Sequence, residues 1–344
     1  MAWGFLSFFS NDIGFDLGTA NTLVYVKGLG IVLDEPSVVA ISTEDSKVIA
    51  IGGEAKEMLG RTPASIRTVR PMKDGVIADF QMAEEMLREF IKRVIRKRFL
   101  IKPRIVMSVP SGITEVEKRA VVDSAEGAGA REVYLVKEPM AAAVGVGIPI
   151  DEPCGNMIID IGGGTSEIAI IALSDIVDNK SIRIAGDEMN EAIIQYMKKE
   201  HNLLIGEQTS ERVKIEIGNA YPQEKQMEMD VKGRDLISGL PRTVAVTSDQ
   251  IRKALSEPVE AIMRAIMEAF EKTPPELASD ILDRGIILTG GGSLLKGLDR
   301  KIQEETKLHV HLVDEPLTCV VRGAGKIINN LERYSGLLIK EKKF

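Results

Sequence analysis

The segment 12–28, DIGFDLGTANTLVYVKG, returns in outline at 156–173 as NMIIDIGGGTSEIAIIAL. Each copy reads as an apolar strand, an Asp-x-Gly turn and a second alternating strand. Asp16 matches Asp160, and Gly18 matches Gly162. Two such hairpins in one chain imply two similar halves facing a common cleft. Each half would supply a carboxylate and a glycine turn, which is how a phosphate–metal site is built from both sides. Nucleotide binding is therefore the leading expectation.

The 344 residues allow two domains, at about 150 residues each. Apolar residues make up 44% of the chain, enough for real cores, and the net charge of −7 argues against nucleic-acid binding through a basic surface. Cys154 and Cys319 lie far apart with no Cys-x-x-Cys, so neither a disulfide framework nor a zinc site is indicated and a cytoplasmic setting fits. No apolar run approaches the roughly 20 residues of a spanning helix. The first ten residues, MAWGFLSFFS, lack the basic start and cleavage site of a signal peptide. Trp3, Phe5, Leu6, Phe8 and Phe9 suit a segment lying along a membrane surface; a disordered tail or a segment packed on the domain is the alternative.

The order of elements predicts an α/β fold. GIVLDEPSVVAIS (30–42) reads as one strand-like stretch, and 48–59 as strand, glycine turn and short helix. Met86, Leu87, Phe90, Ile91, Val94 and Ile95 recur at helical spacing. Strands at 105–112 and 133–137 are each followed by a helix. In the second half, Asp187 is expected to cap a helix, 209–220 and 249–272 read as helices, 227–247 alternates like strands, and 286–298 reads as a buried strand, three glycines and a helix start. A small-residue helix is expected near 317–331.

Neither turn fits a Walker P-loop, and GGG at 290–292 is not a Rossmann fingerprint. Turns without Cβ atoms nonetheless let backbone N–H groups converge on phosphate oxygens. Thr19, Asn21 and Thr165 add side-chain donors, and Asp16 and Asp160 would face Mg²⁺, holding it through its water. An ordinary hairpin explains one copy; two copies, each with its Asp, favour the phosphate site. The 290–293 run, placed at a helix start, suits an anion or the polar part of a nucleoside. Glu138, at a strand-to-helix turn, suits a residue that orients water toward a γ-phosphate, or simply a favourable charge at a helix N-terminus. Glu211 and Lys214, one helical turn apart, suit ribose or base contacts, with an exposed ion pair the plainer reading. His309 and His311 share a strand face but have no further ligand cluster, so packing or surface roles are expected. The basic loop 96–102 carries Phe99, Leu100 and Ile101; insertion into anionic lipid is set against a loop folded back on the core.

These residues resemble the superfamily of actin, the sugar kinases and the heat-shock chaperone ATPases. The strings RPMKDGVIADF, EPMAAAVGVG, DIGGGTSE, AGDEMNEAI, ERVKIEIGNAYP and PPELASDILDRGIILTGGGSLLKGLD are more closely similar to the MreB family of bacterial actins, from about 11 to 328. The resemblance implies an actin-like ATPase fold: two similar RNase H-like domains, each with a smaller inserted subdomain, around a nucleotide cleft. Domain I would be 11–145 plus 317–344 with an insert at about 33–66, and domain II 146–316 with an insert at about 182–248, after a membrane-binding segment at 1–10. ATP and Mg²⁺ would be held by Asp16, Gly18, Thr19, Ala20 and Asn21 in one loop and Asp160, Gly162, Gly163 and Gly164 in the other. Glu211, Arg212, Val213, Lys214, Gly290, Gly291, Gly292 and Ser293 would contact the nucleoside. Glu138 and Thr165 would position the attacking water. The family further implies self-assembly into antiparallel double filaments on the inner membrane, and work with transmembrane shape-determining and cell-wall synthesis proteins. A small-molecule kinase of the same fold would need an acceptor pocket with its own base, for which no candidate Asp stands out.

Overall fold

The computed structural model describes residues 12–95 and 102–339. Two large sheets repeat one plan. In the first, Ile13–Leu17 pairs antiparallel with Asn21–Val26 and parallel with Arg104–Val109; Gly30–Pro36, Glu132–Lys137 and Leu338–Ile339 complete six strands. In the second, Asn156–Ile161 pairs antiparallel with Ser166–Ala172 and parallel with Ile286–Thr289; Asp175–Ile182 and Val310–Leu312 complete five. The two hairpins keep the same register. Asp16 lies opposite Leu23 and Asp160 opposite Glu167, so both turns hold four residues between paired ends.

The central strands are buried on both faces, which explains their unbroken apolar runs. Met157, Ile159 and Ile161 point into a core shared with the helix Ser256–Glu271. Ile158, on the other face, joins Ala169, Ile171 and the helix Glu138–Val146. That helix ends the first half's run of elements yet packs on the second sheet. The helix Cys319–Asn329 does the converse and lies on Ile13–Leu17 of the first. The two helices cross each other between the sheets, where Gly145 and Gly323 bring the backbones together.

Each half also carries a smaller sheet. Val39–Ser42, Val48–Ile51 and Ile66–Val69 form one, with the short helix Gly53–Met58 beside it. Leu203–Leu204, Glu228–Asp235 and Pro241–Thr247 form the other. They stand on the same side of the molecule, and hydrogen bonds join the helix Gly53–Met58 to the helix Glu207–Ile217.

Three expectations are corrected here. The stretch 30–42 is two strands in two sheets, because the chain turns at Pro36–Ser37. Ser37 is fully buried there, its N–H donating to the Ala20 carbonyl and its Oγ to the Gly18 carbonyl, so the break braces the first turn. The stretch 249–272 is two helices, Ser248–Ala254 and Ser256–Glu271. Pro258 has no N–H for the Ala254 carbonyl, so the helix restarts. Asp187 is not the cap of its helix, which begins at Gly186. Glu188 instead reaches back to the Ala185 N–H, and Asp187 is left for the cleft.

Candidate functional site

Between the halves lies a cavity of about 430 Å³, in the range of small-molecule sites. The two repeated turns meet on its floor. A Cβ added at Gly163 would stand 2.8 Å from the Ala20 Cβ, and one at Gly164 would stand 2.6 Å from the Thr19 Oγ1. Only glycine lets the second turn approach the first this closely, which is the physical reason for the GGG run. Convergent backbone N–H groups at such a contact suit anionic oxygens.

Each aspartate is the next-to-last residue of the strand before its turn and takes a hydroxyl from the parallel strand beside it. Ser108 Oγ donates to Asp16 Oδ1 at 2.9 Å, and Thr289 Oγ1 donates to Asp160 Oδ1 at 3.0 Å. Burial raises Asp16 to about 7 against the Ser108 hydrogen bond, with Asp160 adding repulsion. Burial likewise raises Asp160 to about 6. Glu138 is pushed well above the carboxylate range by burial and by Glu167, Asp16 and Asp160. The floor is thus rich in carboxylates whose protein partners are hydroxyls rather than cations, and a bound cation would relieve them. Among the described residues no group of three His, Cys, Asp or Glu is placed to hold a metal ion directly.

At the mouth, the expected Glu211–Lys214 pair does not form. Lys214 is turned inward, where its Nζ donates to the Gly186 carbonyl at 2.8 Å and burial lowers its pKa. Glu211 instead pairs across the cleft with Lys56 at 3.1 Å. Arg70 pairs with Glu207 beside it, and Gln208 Nε2 donates to the Leu59 carbonyl at 3.2 Å.

Asp16, Gly18, Thr19, Ala20, Asn21, Glu138, Asp160, Gly162, Gly163, Gly164, Thr165, Glu211, Lys214, Gly290, Gly291 and Gly292 all line this cavity. Arg212, Val213 and Ser293 do not. Val213 is in the core of the second half, Arg212 points outward toward Glu216, and Ser293 Oγ closes its own turn on the Gly290 carbonyl. The glycine run opens a four-residue 3₁₀ turn, Gly291–Leu294, not an α-helix; the helix starts only at Leu298. His309 and His311 are exposed near the edge strand of the second sheet. The residues Trp3, Phe5, Leu6, Phe8, Phe9, Phe99, Leu100 and Ile101 lie outside the described residues. Sequence reading missed Ser108, Thr289, Lys56 and Asp187. The first two carried a signal, a hydroxyl in an apolar strand just before a glycine-bearing turn, SVPSG and TGGG.

Two sheets on one plan, two crossed helices and a cleft floored by paired Asp-Gly turns define an actin-like α/β protein of the ATPase type. MreB5 of Spiroplasma citri, solved bound to ADP and separately to AMPPNP, superposes with a TM-score of 0.90 at 37% identity, covering 95% of this chain and 98% of that one. The model of the MreB/Mbl protein family matches residues 10–336, and the chain belongs to that family. It is 53% identical to the cell shape-determining protein MreB of Escherichia coli (strain K12) over 342 residues, 98% of this chain and 99% of the relative. It is 49% identical to the cell shape-determining protein Mbl of Bacillus subtilis (strain 168) over 325 residues, 94% and 98% of the two.

Proposed function

We propose that the chain is a cytoskeletal ATPase that polymerises into membrane-associated antiparallel double filaments and organises cell-wall synthesis to maintain cell shape. The observation that carries the nucleotide part is the contact between the two Asp-Gly turns, with Asp16 and Asp160 braced alike on either side of it. ATP would lie with its phosphates over the two turns, its ribose and base toward Lys214, Glu211 and the 290–292 glycines, all of which line the cavity. The binding of ADP and AMPPNP by the similar MreB5 supports the same reading. Magnesium, when bound, would neutralise charge on the phosphates and polarise them, held by Asp16 and Asp160 through its water.

Glu138 and Thr165 take the positions for orienting the attacking water, one from each half. Burial and the neighbouring carboxylates hold the Glu138 carboxyl high, so it can take a proton from water only once a bound cation favours its ionised form, and only where the two halves align it with that water. Hydrolysis is therefore slow in the free monomer and faster where filament contacts align the two halves, and loss of the γ-phosphate weakens those contacts. The aromatic start and the Phe99–Ile101 loop would anchor the filaments to the inner face of the cell membrane. Transmembrane shape-determining and wall-synthesis proteins are the partners this reading requires.

One experiment addresses assembly, attachment and turnover together. The full chain with Mg·ATP is applied to an anionic lipid monolayer for electron microscopy, and phosphate release is followed across a concentration series. Paired filaments lying on the lipid, with release per subunit rising above a critical concentration, are expected. Constant release per subunit across that concentration sinks the coupling, and filaments only off the lipid sink the membrane role.

A further inference from the structure

The two hairpins part company at the residue after the second turn's close. Opposite Asp16 stands Leu23, and opposite Asp160 stands Glu167. Both are buried, at 4% and 1% exposure, so a carboxylate occupies a place where the sister hairpin uses an apolar side chain. It is the single charge in Ser166–Ala172, a strand buried throughout. A buried carboxylate is unfavourable unless it is hydrogen-bonded.

The partners of Glu167 come from both halves. Its Oε2 accepts from the Ser111 N–H at 3.1 Å, and its Oε1 accepts from the Ser181 hydroxyl of the strand Asp175–Ile182. Ser111 lies in the 110–112 turn that follows Arg104–Val109. The chain at that turn neighbours both reacting positions, each through one intermediate residue. Val109 pairs with Lys137, the residue before Glu138. Pro110 and Thr165 both pack against Gly75, standing 2.7 and 2.8 Å from where a Cβ would be. Thr165 itself is two residues before Glu167.

We propose that Glu167 is a positioning residue for hydrolysis: its carboxylate docks the 110–112 turn of the first half onto the second, and so sets Glu138 against Thr165. The proposal rests on the nucleotide-cleft reading above. It predicts a selective loss of turnover, since misalignment of reacting groups by small distances is enough to slow chemistry while remote contacts still hold the substrate.

The test uses the full chain, single-turnover hydrolysis of Mg·ATP, equilibrium ATP affinity and thermal unfolding. Glu167→Leu, which installs the sister hairpin's residue, is expected to slow hydrolysis at least about tenfold with affinity changed less than about threefold. Glu167→Gln is expected to recover most of the rate, because its amide oxygen still accepts from the Ser111 N–H. A wild-type rate in Glu167→Leu overturns the proposal. So does a rate loss matched by an equal loss of affinity and not recovered by Gln. Should Glu167→Leu not fold, Ser181→Ala removes one of the two bonds that aim the carboxylate. It is expected to slow hydrolysis about fivefold at unchanged affinity, and a wild-type rate there also overturns the proposal. A wild-type chain that binds no ATP would instead sink the cleft reading itself.

Discussion

Asp16 and Asp160 are two carboxylates buried beside one cleft, and the cost of that burial is readable in their titration. Their folded-state values, about 7 and about 6, stand above the ordinary 3.8. The sign follows: whatever stability these groups contribute is complete below about pH 4 and is lost as pH rises through 6 to 7, where the fold must carry the charges. Replacing Asp160 by Asn keeps an oxygen for the Thr289 hydroxyl and removes one charge. The nucleotide-free Asp160→Asn variant is therefore expected to melt several degrees above wild type at pH 8 and close to it at pH 5. Adding Mg·ATP should raise the wild-type midpoint and leave the variant's nearly unmoved. Thermal scans at the two pH values, with and without Mg·ATP, decide it; an Asn variant that melts lower at pH 8 would remove the burial argument. The aspartates themselves were legible in the sequence because the chain writes them twice. Their hydroxyl partners were not, since Ser108 is 92 residues from Asp16 and Thr289 is 129 from Asp160. Such pairings are set by sheet order, which no local pattern contains.

At the scale of elements, the alternating and apolar runs located most strands and helices. They failed where a boundary depended on one residue's tertiary role. Ser37 ends a strand because the first turn needs its hydroxyl, and Asp187 gives up a cap because Glu188 supplies it. The small-residue character of the helices Glu138–Val146 and Cys319–Asn329 was visible, but its cause was not. A Cβ at Gly145 would stand 1.9 Å from the Cys319 carbonyl oxygen, and one at Gly323 would stand 1.8 Å from that of Ala141. The two glycines are thus reciprocal, each fitted to the other helix's backbone, and any side chain must push the helices apart. These helices also cover opposite sheets, so the push spreads to both halves. Gly145→Ala and Gly323→Ala are each expected to destabilise the protein by about 1–3 kcal/mol, against a small gain that Ala brings to an unconstrained helix. Denaturant unfolding measures this, and an unchanged or raised midpoint in both variants would show that the crossing is not close-packed in solution.

Over the whole molecule, the cleft is closed at the floor by the turn contact and at the mouth by polar side chains reaching between the two smaller sheets. Lys56–Glu211, Arg70–Glu207 and the Gln208 bonds to the backbone at 56 and 59 join elements separated by more than 130 residues in the chain. Each charged group is roughly a quarter to a third exposed, so each pair contributes only about 0–1 kcal/mol and is weakened by salt. A mouth held this lightly suits a cleft that must open to exchange its nucleotide, whereas a buried apolar seal would not reopen. Because Lys56 and Glu211 also line the cavity, breaking their pair should act on release of the ligand more than on the fold. Lys56→Glu sets two carboxylates against each other and is expected to speed nucleotide release about tenfold, the equivalent of about 1.4 kcal/mol. The conservative Lys56→Arg keeps an opposite-charge partner for Glu211 and should leave release within about threefold of wild type. Stopped-flow displacement of a fluorescent nucleotide at low and high salt reads all of these rates. Wild-type release should quicken with salt and Lys56→Glu should not; a Lys56→Glu variant that releases nucleotide at the wild-type rate would mean that the mouth is held by something other than its charges.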